Sequence, residues 1–324
     1  MIAVSPSKIR TWSILGSAGT FGSTIRELAR DRDDLYVVTA DLRNFSGLER
    51  FHNENPDRLV NVGIAEQSLV GVAAGLALEG LSVFATTYAT FAAARALDPV
   101  RVDLGYMRSP VKLVGMGGGL SVGILGPTHI AIEDIAAMRC IPNMTVISPA
   151  DCTEIAKTVE ATASYSSPVY IRIGGGVPHS VVYRNDYEFE IGKAITLEEG
   201  EGVAFVATGS LVATALEVSS NLRELGINAS VTNMHTIKPL DHSCLDKLAE
   251  NATVIFTFEE HSVLGGLGSA VCEYVADSDN PPRVIRIGIE DYYPHAGDYD
   301  QLIRDTGLDT TTLTNRIIKA LRKD

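Results

Sequence analysis

One acid at the head of a run of small and apolar residues constrains this chain more than any other stretch. Glu66 is followed by Gln67-Ser68-Leu69-Val70-Gly71-Val72-Ala73-Ala74-Gly75-Leu76-Ala77-Leu78, and Gly80 follows as a stop signal. The run is long enough for a buried helix. Its acid has two readings. A negative charge in a first turn favours the helix macrodipole. Alternatively, a carboxyl group held in apolar surroundings can exchange a proton near neutral pH, because desolvation disfavours its charged form.

The flanking sequence sets the fold class. Short apolar runs at Leu35–Asp41, Leu59–Val62, Ser82–Thr87, Val111–Gly115, Thr145–Ile147 and Val169–Ile173 read as buried strands. Between them, helical patterns cover Phe21–Arg30, Ile132–Met138 and Cys152–Thr162, and Trp12–Leu15 is predicted as a further strand. Near Gly174-Gly175-Gly176-Val177-Pro178 the alternation breaks. A second alternating series follows, from the strand Val203–Thr208 to a last helix near Thr311–Leu321. The expectation is an α/β protein of two doubly wound domains, 1–178 and 191–324, joined by a linker at 179–190. The turn Gly265-Gly266-Leu267-Gly268 lacks a full phosphate-binding motif and reads as close strand-to-helix packing.

Composition narrows the function. At 324 residues, 45% hydrophobic and 21% charged, the chain is globular. It holds no uninterrupted apolar stretch of the roughly 20 residues a membrane helix needs. The polar N-terminus lacks the architecture of a secretory signal, so a cytoplasmic location and no membrane partner are expected. Cys140, Cys152, Cys244 and Cys272 form no C-x-x-C pair, which indicates neither a zinc site nor a disulfide scaffold. A net charge of −13 argues against nucleic acid as a partner.

Three features besides Glu66 invite chemistry. Tyr88 and Phe91 follow a strand three residues apart, either as core packing or as a stacking platform for a flat heterocycle. The turn Gly126-Pro127-Thr128-His129 delivers a histidine behind the glycine-rich Gly115-Met116-Gly117-Gly118-Gly119. Asp41 closes an apolar strand at the edge where open α/β sheets bind ligands.

Gly63-Ile64-Ala65-Glu66-Gln67, the Tyr88/Phe91 pair, Gly126-Pro127-Thr128-His129 with Ile132–Arg139, and Ile141–Asp151 together closely resemble the C-terminal half of transketolases. The resemblance covers almost the whole chain, as the pyrimidine-binding plus C-terminal domains of a transketolase split into two polypeptides. It implies a thiamine diphosphate-dependent transferase moving a two-carbon ketol unit from a ketose to an aldose. Glu66 would hydrogen-bond N1′ of the aminopyrimidine and promote loss of the thiazolium C2 proton. Phe91 would stack on the aminopyrimidine with Tyr88 beside it. Asp41 and Ile64 would line the cofactor site, and His129 would contact the substrate.

The family's Gly-Asp-Gly stretch, which holds diphosphate and magnesium, is absent from this sequence. A partner N-terminal subunit would therefore supply the Mg2+ site, in an α2β2 heterotetramer. By motif spacing, the usual phosphate-binding residues fall on Gly117, Gly175, Ala18 and Phe45, and Leu125 replaces the acid before Gly-Pro-Thr-His. A dianion needs charge-assisted donors, so an unphosphorylated or otherwise altered substrate is expected. Three other readings stay open: a 2-oxoacid dehydrogenase β-like chain, a deoxyxylulose-phosphate-synthase-like chain, or a non-catalytic assembly subunit.

Overall fold

The computed structural model describes residues 2–322. Among the described residues, twelve strands form two sheets. In chain order they are β1 (Leu35–Thr39), β2 (Leu59–Asn61), β3 (Ser82–Tyr88), β4 (Lys112–Gly118), β5 (Thr145–Ile147) and β6 (Val169–Gly174). They continue with β7 (Ile195–Glu198), β8 (Gly202–Ala207), β9 (Ser230–Asn233), β10 (Thr236–Lys238), β11 (Ala252–Ser262) and β12 (Arg283–Ile289). The first sheet has the order β10-β5-β6-β4-β3-β1-β2 and the second β12-β11-β8-β9-β7. All neighbours are parallel except β10 on β5 and β7 on β9. This is the doubly wound α/β architecture expected from the alternating apolar runs.

Alternation of side chains across each strand divides the core. Leu35 and Val37 of β1 face a cluster with Phe21, Ile25, Phe84, Val114, Ile155 and Val159, under the helices Pro6–Leu28 and Cys152–Ala163. Val38 faces the opposite side. There Leu69, Val70 and Ala73 of the helix Glu66–Leu78 pack in a core that runs on into Val206, Ile255 and Leu267 around the second sheet. The other face of that sheet is covered by the helices Leu211–Arg223 and Thr310–Leu321.

One expected strand is a helix. Trp12–Leu15 lies within the helix Pro6–Leu28, which Ser5 caps by accepting a hydrogen bond from the Lys8 amide, with Pro6 in the first turn. The helix is interrupted at Gly16 (φ 72°), between Trp12–Leu15 and the helical stretch expected from Phe21. The glycine turn after β11 packs closely, as expected. An added Cβ on Gly266 would lie 1.9 Å from Glu259 Oε2. The buried Glu259 carboxylate accepts from the amides of Leu267 (2.6 Å) and Gly268 (2.8 Å), so the chain's own acid caps the helix Leu267–Val275. Desolvation pushes the Glu259 carboxyl up to about 7.

The two halves are locked together by buried polar groups. Arg172 of β6 donates from Nε to Asp134 Oδ2 (2.8 Å) and from Nη2 to the carbonyls of Ala131 (2.9 Å) and Glu260 (2.8 Å). Tyr170 donates its hydroxyl to the same Asp134 oxygen at 2.7 Å. Glu260 of β11 accepts from the Leu120 amide (2.6 Å), the Tyr299 hydroxyl (2.7 Å) and the Ser210 hydroxyl. The second half thereby grips the loop that follows β4. Among the described residues, no helix is long and apolar enough to cross a membrane.

Candidate active site

β6, β4, β3 and β1 are consecutive parallel neighbours, so the residues after their C-terminal ends share one edge of the sheet. Tyr88 is the last residue of β3, and Phe91 opens a wide turn in which the Ala96 amide donates to the Phe91 carbonyl at 3.0 Å. Such i to i+5 turns concentrate at functional sites. The two side chains do not share a helix face, because Tyr88 is still extended. Their rings nevertheless meet edge-on, with centroids 5.7 Å apart and planes at 88°.

His129 reaches them from the loop after β4. That loop is pinched at its base, where the Gly119 amide donates to the Ala131 carbonyl (2.9 Å) and the Ala131 amide to the Gly119 carbonyl (3.1 Å). At its tip, Gly126 (φ 75°) turns the chain, and the amides of His129 and Ile130 donate back to its carbonyl. The imidazole lies 5.1 Å from both Tyr88 and Phe91, edge to face. Gly297, from the second half, donates its amide to the Gly123 carbonyl (3.1 Å) and steadies this loop.

Glu66 begins its helix as expected, and only 2% of it is exposed. Its surroundings are not purely apolar. Arg95 donates from Nη1 to Glu66 Oε2 at 2.8 Å, and its guanidinium lies 4.2 Å over the Phe91 ring. Glu66, Arg95, Phe91, His129 and Tyr88 therefore form one connected chain of contacts, extended by Phe45, whose ring is 4.9 Å from Tyr88.

Asp41 and Ile64 stand apart from it. Asp41 adopts φ 60°, and Asn61 Oδ1 accepts from its amide and from that of Gly63, both at 3.0 Å. Asn61 Nδ2 donates in turn to Asp41 Oδ1 at 3.1 Å, tying the ends of β1 and β2 to the turn before Glu66. Ile64 is 77% exposed on that turn. Sequence reasoning missed Arg95 and Asn61. The four-residue spacing Phe91-x-x-x-Arg95 carried the signal for the first, since residues one turn apart face each other.

Two of the glycines at expected phosphate-binding positions have positive φ and would crowd a side chain. A Cβ on Gly117 (φ 72°) would lie 3.0 Å from a Val122 methyl, and one on Gly175 (φ 92°) would lie 2.4 Å from His179 Nε2. Leu125 is 47% exposed beside the Gly126 turn.

The residues fit one end of thiamine diphosphate. A buried carboxylate with a single polar partner stands next to a half-buried aromatic ring, which suits the edge and face of an aminopyrimidine. No group of three His, Cys, Asp or Glu side chains that could hold a metal ion occurs among the described residues.

Residues 17–174 match the transketolase pyrimidine binding domain and residues 192–313 the transketolase C-terminal domain. The chain is 39% identical to an apulose-4-phosphate transketolase subunit of Phocaeicola vulgatus, covering 94% of this chain and 97% of that one. It is 36% identical to a 6-deoxy-6-sulfo-D-fructose transketolase subunit of a Clostridium species, covering 89% of each. A solved structure described as a split gene transketolase in an inactive β4 tetramer superposes with a TM-score of 0.84. It is 37% identical, over 94% of this chain and 97% of that one.

Proposed function

This chain belongs to the transketolase family, and from that premise we propose that it is one subunit of a two-polypeptide transketolase that moves a two-carbon ketol unit between sugars. The observation that carries this reading is the contact chain from buried Glu66 through Arg95 and Phe91 to His129. When bound, thiamine diphosphate supplies the nucleophilic carbon that attacks the ketose carbonyl. Glu66 holds or releases the proton at pyrimidine N1′, and Phe91 and Tyr88 fix the ring. His129, seated against both aromatic rings, contacts the substrate near the bond that breaks. Asp41, held by Asn61, and Ile64 border the cofactor.

The diphosphate and Mg2+ belong to a partner subunit carrying the Gly-Asp-Gly stretch this sequence lacks, in an α2β2 assembly. The crowded glycines at 117 and 175, with Leu125 nearby, support a substrate whose far end is not held by the usual phosphate ligands of this chain. Relatives named for apulose 4-phosphate and for a sulfo-sugar support a specialised sugar.

The test is co-expression with a Gly-Asp-Gly-bearing partner, thiamine diphosphate titration, and turnover of a panel of phosphorylated and unphosphorylated ketoses. Cofactor-dependent ketol transfer that Glu66→Ala lowers at least a hundredfold is the expected result, a general acid–base contribution being about 10²–10⁴-fold. Full activity in Glu66→Ala would overturn the assignment, and ready use of ordinary pentose phosphates would overturn the altered-substrate reading.

A further inference from the structure

Arg95 touches both groups to which the proposed function gives the aminopyrimidine, yet neither apolar patterning nor the family motifs assign it a part. Its Nη1 binds only one oxygen of Glu66, Oε2, at 2.8 Å. No hydrogen bond from the described residues engages Oε1. The central carbon of the same guanidinium sits 4.2 Å from the Phe91 ring centroid. Its backbone is tied as well, because Gln67 Nε2 donates to the Arg95 carbonyl at 3.4 Å, a long bond linking the Glu66 helix to the wide turn. One side chain thus bridges the carboxylate to which the proposed function gives the edge of a ring and the aromatic group to which it gives the face.

We propose that Arg95 is a positioning residue for the cofactor: it pins one Glu66 oxygen so that the other is presented, and holds Phe91 at the matching angle. This rests on the reading of Glu66 and Phe91 given above. The planarity of the guanidinium matters as much as its charge, because an ammonium can pair with Glu66 but cannot lie on the ring as a plane while donating sideways.

Two substitutions separate the roles. In the complex with the diphosphate-binding partner, Arg95→Lys keeps the charge opposite Glu66, whereas Arg95→Ala removes charge and stack together. Thiamine diphosphate affinity, measured by fluorescence titration, is expected to fall about tenfold in Arg95→Lys and further in Arg95→Ala. At saturating cofactor, kcat is expected to fall while KM for the ketose stays within about twofold, the pattern of a group acting on the cofactor end and not on sugar binding. The unfolding temperature of Arg95→Lys is expected to stay at the wild-type value, which a purely structural ion pair would also give without any loss of cofactor affinity.

Wild-type affinity and kcat in Arg95→Lys would overturn the proposal, leaving Arg95 a simple counter-charge. Tighter cofactor binding in Arg95→Ala would overturn it too, making Arg95 a competitor for the same two groups. Glu66→Ala, titrated alongside, distinguishes the failures. Unchanged cofactor affinity in that variant sinks the placement of the aminopyrimidine itself, whereas a loss there with none in the Arg95 variants sinks only the positioning role.

Discussion

Replacing Arg172 by methionine tests whether the clasp between the two halves holds the loop that carries His129. Arg172 is 4% exposed and its partner Asp134 1%. The substitution removes three hydrogen bonds, one to Asp134 and two to the carbonyls of Ala131 and Glu260. It leaves a buried carboxylate whose Oδ2 keeps only the Tyr170 hydroxyl and whose Oδ1 has no partner. Breaking a buried pair from one side costs about 3–5 kcal/mol, because the remaining charge is stranded. With two carbonyls also losing their donor, Arg172→Met is expected near the upper end of that range, about 5 kcal/mol. Adding Asp134→Asn removes the stranded charge and should recover about 2 kcal/mol. Urea unfolding of the wild type, both single variants and the double variant gives the coupling directly. Because Ala131 lies two residues beyond His129, activity should fall in Arg172→Met before the protein unfolds. A cost within about 1 kcal/mol, or strict additivity in the double variant, would refute the view that this pair is desolvated and coupled.

Buried titratable groups and crowded glycines lead to two more expected outcomes. His261 is fully buried and burial holds its pKa down at about 4, below its unfolded 6.5. As pH falls through that window the unfolded chain takes up a proton the folded chain refuses, so His261 lowers stability on the acid side. Glu259, pushed up from 4.5 to about 7, acts oppositely: its contribution is full below 4.5 and is lost as pH rises through 7. Against wild type, His261→Gln should therefore fare about 2 kcal/mol better at pH 5 than at pH 8, measured as the change in unfolding free energy. An equal difference at both pH values would contradict the buried, neutral imidazole. Gly175→Arg, the substitution that would restore a basic residue at that place, meets φ 92° and His179 Nε2 at 2.4 Å from the new Cβ. It should cost about 2–3 kcal/mol in thermal unfolding and bring no gain in use of phosphorylated ketoses. A stable variant with such a gain would show the space to be open.

Much of this was legible in the chain. Apolar runs gave β1, β3, β4 and β6, and the placement of Tyr88, Phe91 and His129 after strand ends brought them to one edge of the sheet. Trp12–Leu15 misled because four residues with an apolar majority fit a strand or a helix, and the deciding signals, Ser5 and Pro6, lie nearly two turns earlier. Arg95 was invisible to apolar periodicity because its role lies in where the guanidinium goes, over Phe91 and onto Glu66. Asn61 was overlooked for a similar reason. Its side chain bonds backbone amides twenty and two residues away, and such a tie has no local pattern.

β10 is only three residues long, yet it lies antiparallel along β5 and forms the outermost strand of a sheet whose other members all come from the first half of the chain. The chain reaches it only after β7, β8 and β9 have been placed in the other sheet. Until then β5 presents a row of unpaired amides and carbonyls, the kind of open margin that recruits strands from other molecules. The short strand thus works as a seal applied late, and a fragment ending at the linker would carry its sticky margin permanently. The second half thus closes an edge that the first half leaves open.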